Sequence, residues 1–194
     1  MFERKDHFYK KAKKEGFASR AVYKLFEIQK KYRLLKKGDK VLDLGAAPGG
    51  WLEIAAKEVG GKGHVVGIDR LPLKIGLPSN ATFIQQNIEE EFPKKMEFDV
   101  VLSDLSPDLT GIVFKDTYQS YELTKIVWGI AQKYLKENGN LVIKIFPGEE
   151  INKLKAEMRR FFKMLKIFVP EATRKTSSEI YLVATGFKKI IGKF

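Results

Sequence analysis

The sequence predicts an α/β fold: a seven-stranded, mostly parallel sheet with an antiparallel last strand and helices on both faces. Three observations carry that expectation. Short apolar runs alternate with longer helix-spaced segments from Lys40 onward, which is the signature of strands joined by crossover helices. Several of the runs are apolar at nearly every position, as strands covered on both faces must be. The last two runs are separated only by the polar stretch EATRKTSS, too short for a crossover helix, so they should pair as an antiparallel hairpin at one edge.

Taken in order, the strands are VLDLG (41–45), HVVGID (64–69), ATFIQ (81–85), DVVLSD (99–104), NLVIKIF (140–146), MLKIFVP (164–170) and EIYLVATGF (179–187). Helices are expected over Trp51 to Val59, Tyr118 to Leu135 and Glu149 to Phe162, the second with Leu123, Val127, Ile130, Ala131 and Tyr134 at helical spacing. Upstream, Ala21, Val22, Leu25, Phe26, Ile28 and Tyr32 predict a further helix within Phe17 to Leu35 that packs against the sheet. No repeat and no Pro/Gly/Ser linker divides the chain. Residues 1–194 read as one domain, with a basic helical extension (1–38), a core (39–187) and a basic tail (188–194).

Composition removes several chemistries. With no cysteine there is no disulfide framework, thiol nucleophile or Cys-based zinc site. His7 and His64 alone give no basis for a His-ligated metal centre or a Ser-His-Asp triad. No run is long enough to cross a bilayer and MFERKDHFYK lacks a signal-peptide apolar stretch, so a cytoplasmic protein without membrane contact is expected. The net charge of +12 is unevenly placed. Residues 1–40 carry +9 and 121–194 carry +8, around a middle segment of −5. Basic segments interleaved with Phe8, Tyr9, Phe17, Tyr23 and Tyr32 suit a surface that tracks nucleic-acid phosphates.

In open α/β sheets ligands sit beyond the carboxyl ends of the strands. The loop after the first strand reads Asp43-Leu44-Gly45-Ala46-Ala47-Pro48-Gly49-Gly50-Trp51. Its small residues admit a ligand close to the backbone, and the following helix offers free N–H groups. Glycines at 45, 49 and 50 do not match G-x-G-x-x-G, which argues against a dinucleotide. Asp69, closing the second strand, can accept hydrogen bonds from both hydroxyls of a ribose. A nucleoside cofactor without a pyrophosphate fits, S-adenosylmethionine above all, and the acidic middle suits its cationic sulfonium and ammonium.

Lys144 is the most anomalous residue: an ammonium inside LVIKIF is costly unless it faces a cleft, where desolvated lysines serve as proton acceptors. Asp104, closing the fourth strand, could orient such a base or meet the methyl donor. Glu179 and Lys24, judged from their neighbours alone, read as surface charges.

The segments SRAVYKLFEI, VLDLGAAPGGW, IDRLP, SDLSPDLTG, LVIKIFPGE and SSEIYLVATG, in this order, resemble the FtsJ-like ribosomal RNA large-subunit 2′-O-ribose methyltransferases from about Asp6 to Phe187. That resemblance implies a Rossmann-like methyltransferase fold and a Lys-Asp-Lys-Glu tetrad at Lys24, Asp104, Lys144 and Glu179. It also implies S-adenosylmethionine contacts at Gly49, Trp51, Asp69 and Asp104, and at Asn87 where the family usually has aspartate. Asparagine keeps a carbonyl acceptor for the adenine amino group. Asp108 stands where the family usually has asparagine. The implied activity is methyl transfer to a ribose 2′-hydroxyl, most simply a uridine of large-subunit ribosomal RNA, by a monomer acting on RNA within the large subunit. Transfer RNA or an mRNA cap could be the target of the same tetrad, and an RNA-binding protein on this scaffold is the non-enzyme reading.

Overall fold

In a computed structural model describing residues 7–90, 96–174 and 176–189, the element order is α1 (His7–Glu15), α2 (Val22–Tyr32), β1 (Lys40–Leu44), α3 (Gly50–Val59), β2 (His64–Asp69), β3 (Ala81–Gln85), β4 (Phe98–Ser103), α4 (Val113–Tyr134), β5 (Leu135–Ile145), α5 (Glu150–Met158), β6 (Phe162–Phe168) and β7 (Ile180–Phe187). The basic tail read from the sequence lies, from residue 190 on, outside the described residues. No helix among the described residues is long and apolar enough to cross a membrane.

The strands form one sheet in the order β3-β2-β1-β4-β5-β7-β6. Strands β3, β2, β1, β4 and β5 are parallel to one another, while β7 runs antiparallel to both β5 and β6. The expected hairpin is present, with β7 inserted inward and β6 at the rim. This arrangement is self-consistent by burial: β7 is buried at four consecutive positions, Tyr181 to Ala184, whereas β6 exposes Lys163, Lys166 and Ile167. Charged residues on the outer strand also discourage pairing with another sheet.

Each strand sends alternate side chains to opposite faces, and the two faces differ. On one, Leu42, Leu44, Val66, Ile68, Val101, Leu141, Ile143 and Leu182 pack under α4 and α5. On the other, Val41, Val65, Val100, Leu102, Val142 and Val183 pack under α2 and α3. Each fully buried aliphatic side chain is worth about 1.5–3 kcal/mol, so both layers contribute to holding the sheet.

Several boundaries differ from the sequence reading. The helix expected within Phe17 to Leu35 is present as the shorter α2, and a further helix, α1, precedes it: Gly16, at φ 78°, follows the end of α1, and the chain turns through Ser19 and Arg20 before α2 begins at Val22. Phe8, Phe17, Tyr23 and Phe26 pack together across this break, and the Tyr23 hydroxyl donates to Glu15 at 2.6 Å. Helix α4 starts five residues before Tyr118. Asp116 in its first turn accepts hydrogen bonds from the Thr110 and Gly111 amides and from the Thr110 hydroxyl, which ties the preceding loop to the helix.

Helix α3 lies close to the sheet because β2 has no side chain at Gly67, where a Cβ would stand 2.3 Å from Leu52 Cδ1 and 2.9 Å from Ala46 Cβ. Leu52 is fully buried and cannot swing away. Gly67→Ala is therefore expected to destabilise the fold by about 1–3 kcal/mol, read as a lower urea midpoint with an unchanged slope.

Candidate active site and cofactor pocket

Strand parity assembles the site. Asp43 (β1), Asp69 (β2), Asp104 (just past β4), Lys144 (β5) and Tyr181 (β7) share the parity of the α2/α3 face, near the carboxyl ends of the parallel strands. Lys144 and Tyr181 are register partners across the antiparallel β5–β7 pair. A polar cluster thus interrupts an otherwise apolar layer at one rim.

Within it every charge but one is matched. Lys144 Nζ donates to the Asp104 carbonyl oxygen at 2.6 Å and lies 3.3 Å from the Asp104 carboxylate. Lys24 Nζ sits 2.5 Å from Glu179 Oε1, both nearly buried. Tyr181 joins the two pairs: its hydroxyl donates to Asp104 Oδ1 at 2.7 Å, and its ring lies 5.8 Å from the Lys24 ammonium. Burial, followed by the negative charges of Asp104 and Glu179, holds the Tyr181 phenol well above its ordinary pKa, so it stays a donor. The four residues expected to form a tetrad are therefore brought together.

Lys24 and Glu179 meet because α2 is clamped to the β6–β7 connection. The Glu27 carboxylate accepts the Glu171 and Ala172 amides at 2.7 and 2.9 Å, and the Arg20 guanidinium donates to the Ala172 carbonyl. Trp51 adds a third tie, donating from its indole nitrogen to the Ala21 carbonyl at 2.8 Å while stacking on Tyr181. Its side chain is thus spent on structure, leaving its backbone N–H at the α3 N-terminus for a ligand.

The turn between β1 and α3 crosses to the end of β2. The Gly45 and Ala46 amides reach the Ile68 carbonyl, and Ala47 N–H reaches Asp69 Oδ2 at 2.9 Å. Leu71 N–H donates to the other Asp69 oxygen. Gly49 caps α3 at φ 118°, a conformation side chains rarely adopt, and the Ile75 side chain occupies the space a Cβ would need. The adjoining cavity, about 390 Å³, is lined by Asp69, Asn87, Leu105, Ser106, Tyr118 and Leu123 among others, a volume in the range of small-molecule sites. Asp69 and Asn87 thus border the cavity. Gly49, Trp51 and Asp104 are not among its lining residues. Asn87 Oδ1 accepts the Glu89 amide at 3.2 Å. Asp108 forms a two-oxygen contact with Arg70 at 3.0 and 3.2 Å, linking two loops that border the same cavity.

Sequence reasoning missed Tyr181 as the link between the pairs, although a tyrosine inside an apolar run is itself a signal that its hydroxyl needs a partner. It also missed the isolation of Asp43, whose two oxygens have no hydrogen-bond partner.

A mostly parallel sheet with an antiparallel seventh strand inserted near one edge, a Gly-rich turn and a ribose-type acid at the second strand define a Rossmann-like methyltransferase. The FtsJ-like methyltransferase family model matches residues 17–187, and the chain belongs to that family. It is 41% identical to ribosomal RNA large subunit methyltransferase E of Bdellovibrio bacteriovorus, over 95% of this chain and 97% of that one. With the protein of the same name from Archaeoglobus fulgidus it shares 42% identity, over 98% and 100%. Among solved structures, one described as a ribosomal RNA methyltransferase of Plasmodium falciparum superposes with a TM-score of 0.77 at 29% identity, covering 88% of this chain and 98% of that one.

Tyr181→Phe keeps the ring stack and removes the hydroxyl bonded to Asp104. It is expected to cost about 1 kcal/mol of stability by denaturant titration, with the fold otherwise unchanged by circular dichroism.

Proposed function

We propose that the chain methylates the 2′-hydroxyl of a ribose, a uridine of large-subunit ribosomal RNA, with S-adenosylmethionine as donor, acting as a cytoplasmic monomer on RNA within the subunit. The observation that carries this reading is the convergence of Lys24, Asp104, Lys144 and Glu179 beside a nucleoside-sized cavity bordered by Asp69. The methyltransferase E relatives supply the RNA class.

The pocket residues fit the donor. Asp69 uses one lone pair on each oxygen for a backbone amide and keeps others for ribose hydroxyls. Asn87 borders the cavity, and its Oδ1, which accepts the Glu89 amide, keeps a second lone pair that would accept from the adenine amino group, while Gly49 and the Trp51 backbone N–H border the turn where the remainder of the molecule would lie. When bound, S-adenosylmethionine supplies a methyl group activated by a sulfonium.

A ribose hydroxyl is a weak nucleophile whose proton must leave as its oxygen attacks. Lys144 is the residue placed to take that proton once its own ammonium has released one to solvent, with Asp104 holding its nitrogen through two oxygens and Tyr181 holding Asp104. Lys24, oriented by Glu179, presents positive charge to the reacting hydroxyl or its neighbouring phosphate. The exposed lysines of α1, Lys10, Lys11, Lys13 and Lys14, form a basic face suited to the RNA backbone.

Lys144→Ala should abolish methyl transfer to ribosomal RNA, followed with labelled donor and mapping of the 2′-O-methyl site, while donor affinity by calorimetry is retained. Near-normal turnover would remove the base assignment. Neutralising the four α1 lysines together should weaken RNA binding and flatten its dependence on salt without changing donor affinity. An unchanged salt slope would show that this face does not meet RNA.

A further inference from the structure

Folded chains scatter their exposed apolar side chains singly, and a cluster of them marks a surface that meets a partner or ligand. Of the eleven large hydrophobic side chains exposed among the described residues, five fall within ten positions: Leu109, Ile112, Val113, Phe114 and Tyr118. Phe114 is 77% exposed. The segment is not loose, because the Asp116 carboxylate takes the Thr110 and Gly111 amides and the Thr110 hydroxyl and so fixes the loop to the first turn of α4. Phe114 and Tyr118, four residues apart on α4, share one helix face. Among the described residues they are two of the three exposed Phe, Tyr or Trp side chains, the third being Tyr9 on α1.

This ledge stands at the reactive end of the sheet. The Ser120 hydroxyl on α4 accepts the Phe146 amide at 3.0 Å, two residues beyond Lys144. Thr117 packs on Gly148 so closely that a Cβ there would stand 2.5 Å from Thr117 Cγ2. The first turns of α4 are therefore held against the strand end that carries Lys144. Tyr118 also lines the donor cavity, together with Leu105, the residue after Asp104. Leu109, Ile112, Val113 and Phe114 are not among the lining residues, so the ledge continues outward from the cavity rather than into it.

Its chemistry selects an occupant. Between Leu109 and Tyr118 the one exposed charge is Lys115, since Asp116 is buried and its oxygens are taken. An apolar, aromatic and weakly cationic surface suits a flat, neutral ring attached to a phosphate chain. A ribose hydroxyl reaches Lys144 only when its nucleotide is drawn out of regular stacking, and bases that lose stacking partners are received on aromatic faces. We infer that Phe114 and Tyr118, flanked by Ile112 and Val113, form a stacking ledge for an unpaired base of the RNA next to the ribose being methylated. The inference rests on the RNA reading above and adds a base-binding site separate from the tetrad, the donor pocket and the basic face of α1.

The test compares Phe114→Ala, Phe114→Leu and Phe114→Trp with wild type in the full chain, binding protein-free, unmethylated large-subunit ribosomal RNA across a salt series. With the Phe114 ring mostly in solvent, these replacements leave the core untouched. Phe114→Ala should bind about tenfold more weakly, the loss of one base stack. Its slope of log affinity against log salt should equal that of wild type, because stacking releases no counterions. Phe114→Trp keeps a flat face and should bind at least as tightly as wild type. Phe114→Leu keeps only apolar bulk and should share the loss. Donor affinity by calorimetry should be the same in all four proteins.

Wild-type RNA affinity in Phe114→Ala would overturn the inference, and so would wild-type affinity in Phe114→Leu, which would mean apolar contact without stacking. Turnover on assembled large subunits and sedimentation of the free proteins identify the other occupants. A loss confined to assembled subunits would assign the ledge to a ribosomal protein, and a wild-type dimer split by Phe114→Ala would assign it to a second copy of the chain. Either result excludes the base. Failure of wild type to bind the RNA at all would instead remove the RNA reading beneath the inference.

Discussion

An ammonium in the low-dielectric layer of a parallel sheet must be matched where it stands, and the arrangement of this molecule follows from how Lys144 is matched. Its nitrogen is held by two oxygens of one residue, Asp104, and that residue is fixed in turn by the Tyr181 hydroxyl. Each member loses its partner if another moves, and an unpaired charge at this depth is expensive. The site is therefore rigid for electrostatic reasons, before any substrate is considered. The order of strands serves the same end: insertion of β7 beside β5 is what sets Tyr181 next to Lys144.

The two faces of the sheet divide the work. Under α4 and α5 the layer is apolar along its length and contributes cohesion. Under α2 and α3 the same kind of layer ends in the polar cluster, and the helices there have additional duties. Helix α2 carries Lys24 and uses Glu27 to hold the connection preceding Glu179. Helix α3 begins at the Gly49 turn and uses the Trp51 side chain to hold the start of α2. Residues that touch no ligand thus determine whether the tetrad exists.

Charge is sorted on a larger scale as well. The exposed lysines of α1 lie on the outside, while Asp43, Asp69 and Asp104 stand on one inward face. A polyanion is attracted to the first and a cation to the second, so a surface for RNA and a pocket for a positively charged donor can coexist in a chain whose net charge is strongly positive.

The sequence by itself determined the seven strands, their class of sheet and the exceptional position of Lys144, because apolar runs and a misplaced charge are local patterns. It located Asp69 and the Gly-rich turn for the same reason. Local pattern missed α1, which buries only Ala12 and so carries little apolar periodicity, and the start of α4, where the signal is the Asp116 tie to Thr110. Lys24 and Glu179 looked like surface charges, and only family resemblance nominated them. They bury one another across most of the chain's length, and neither one's neighbours in sequence reveal the other. The same is true of the Tyr181–Asp104 bond, the diversion of the Trp51 indole to Ala21 and the isolation of Asp43. Those features depend on which strands lie side by side and which helix covers them, and partner identity across a sheet is a property of the packed chain rather than of any segment of it.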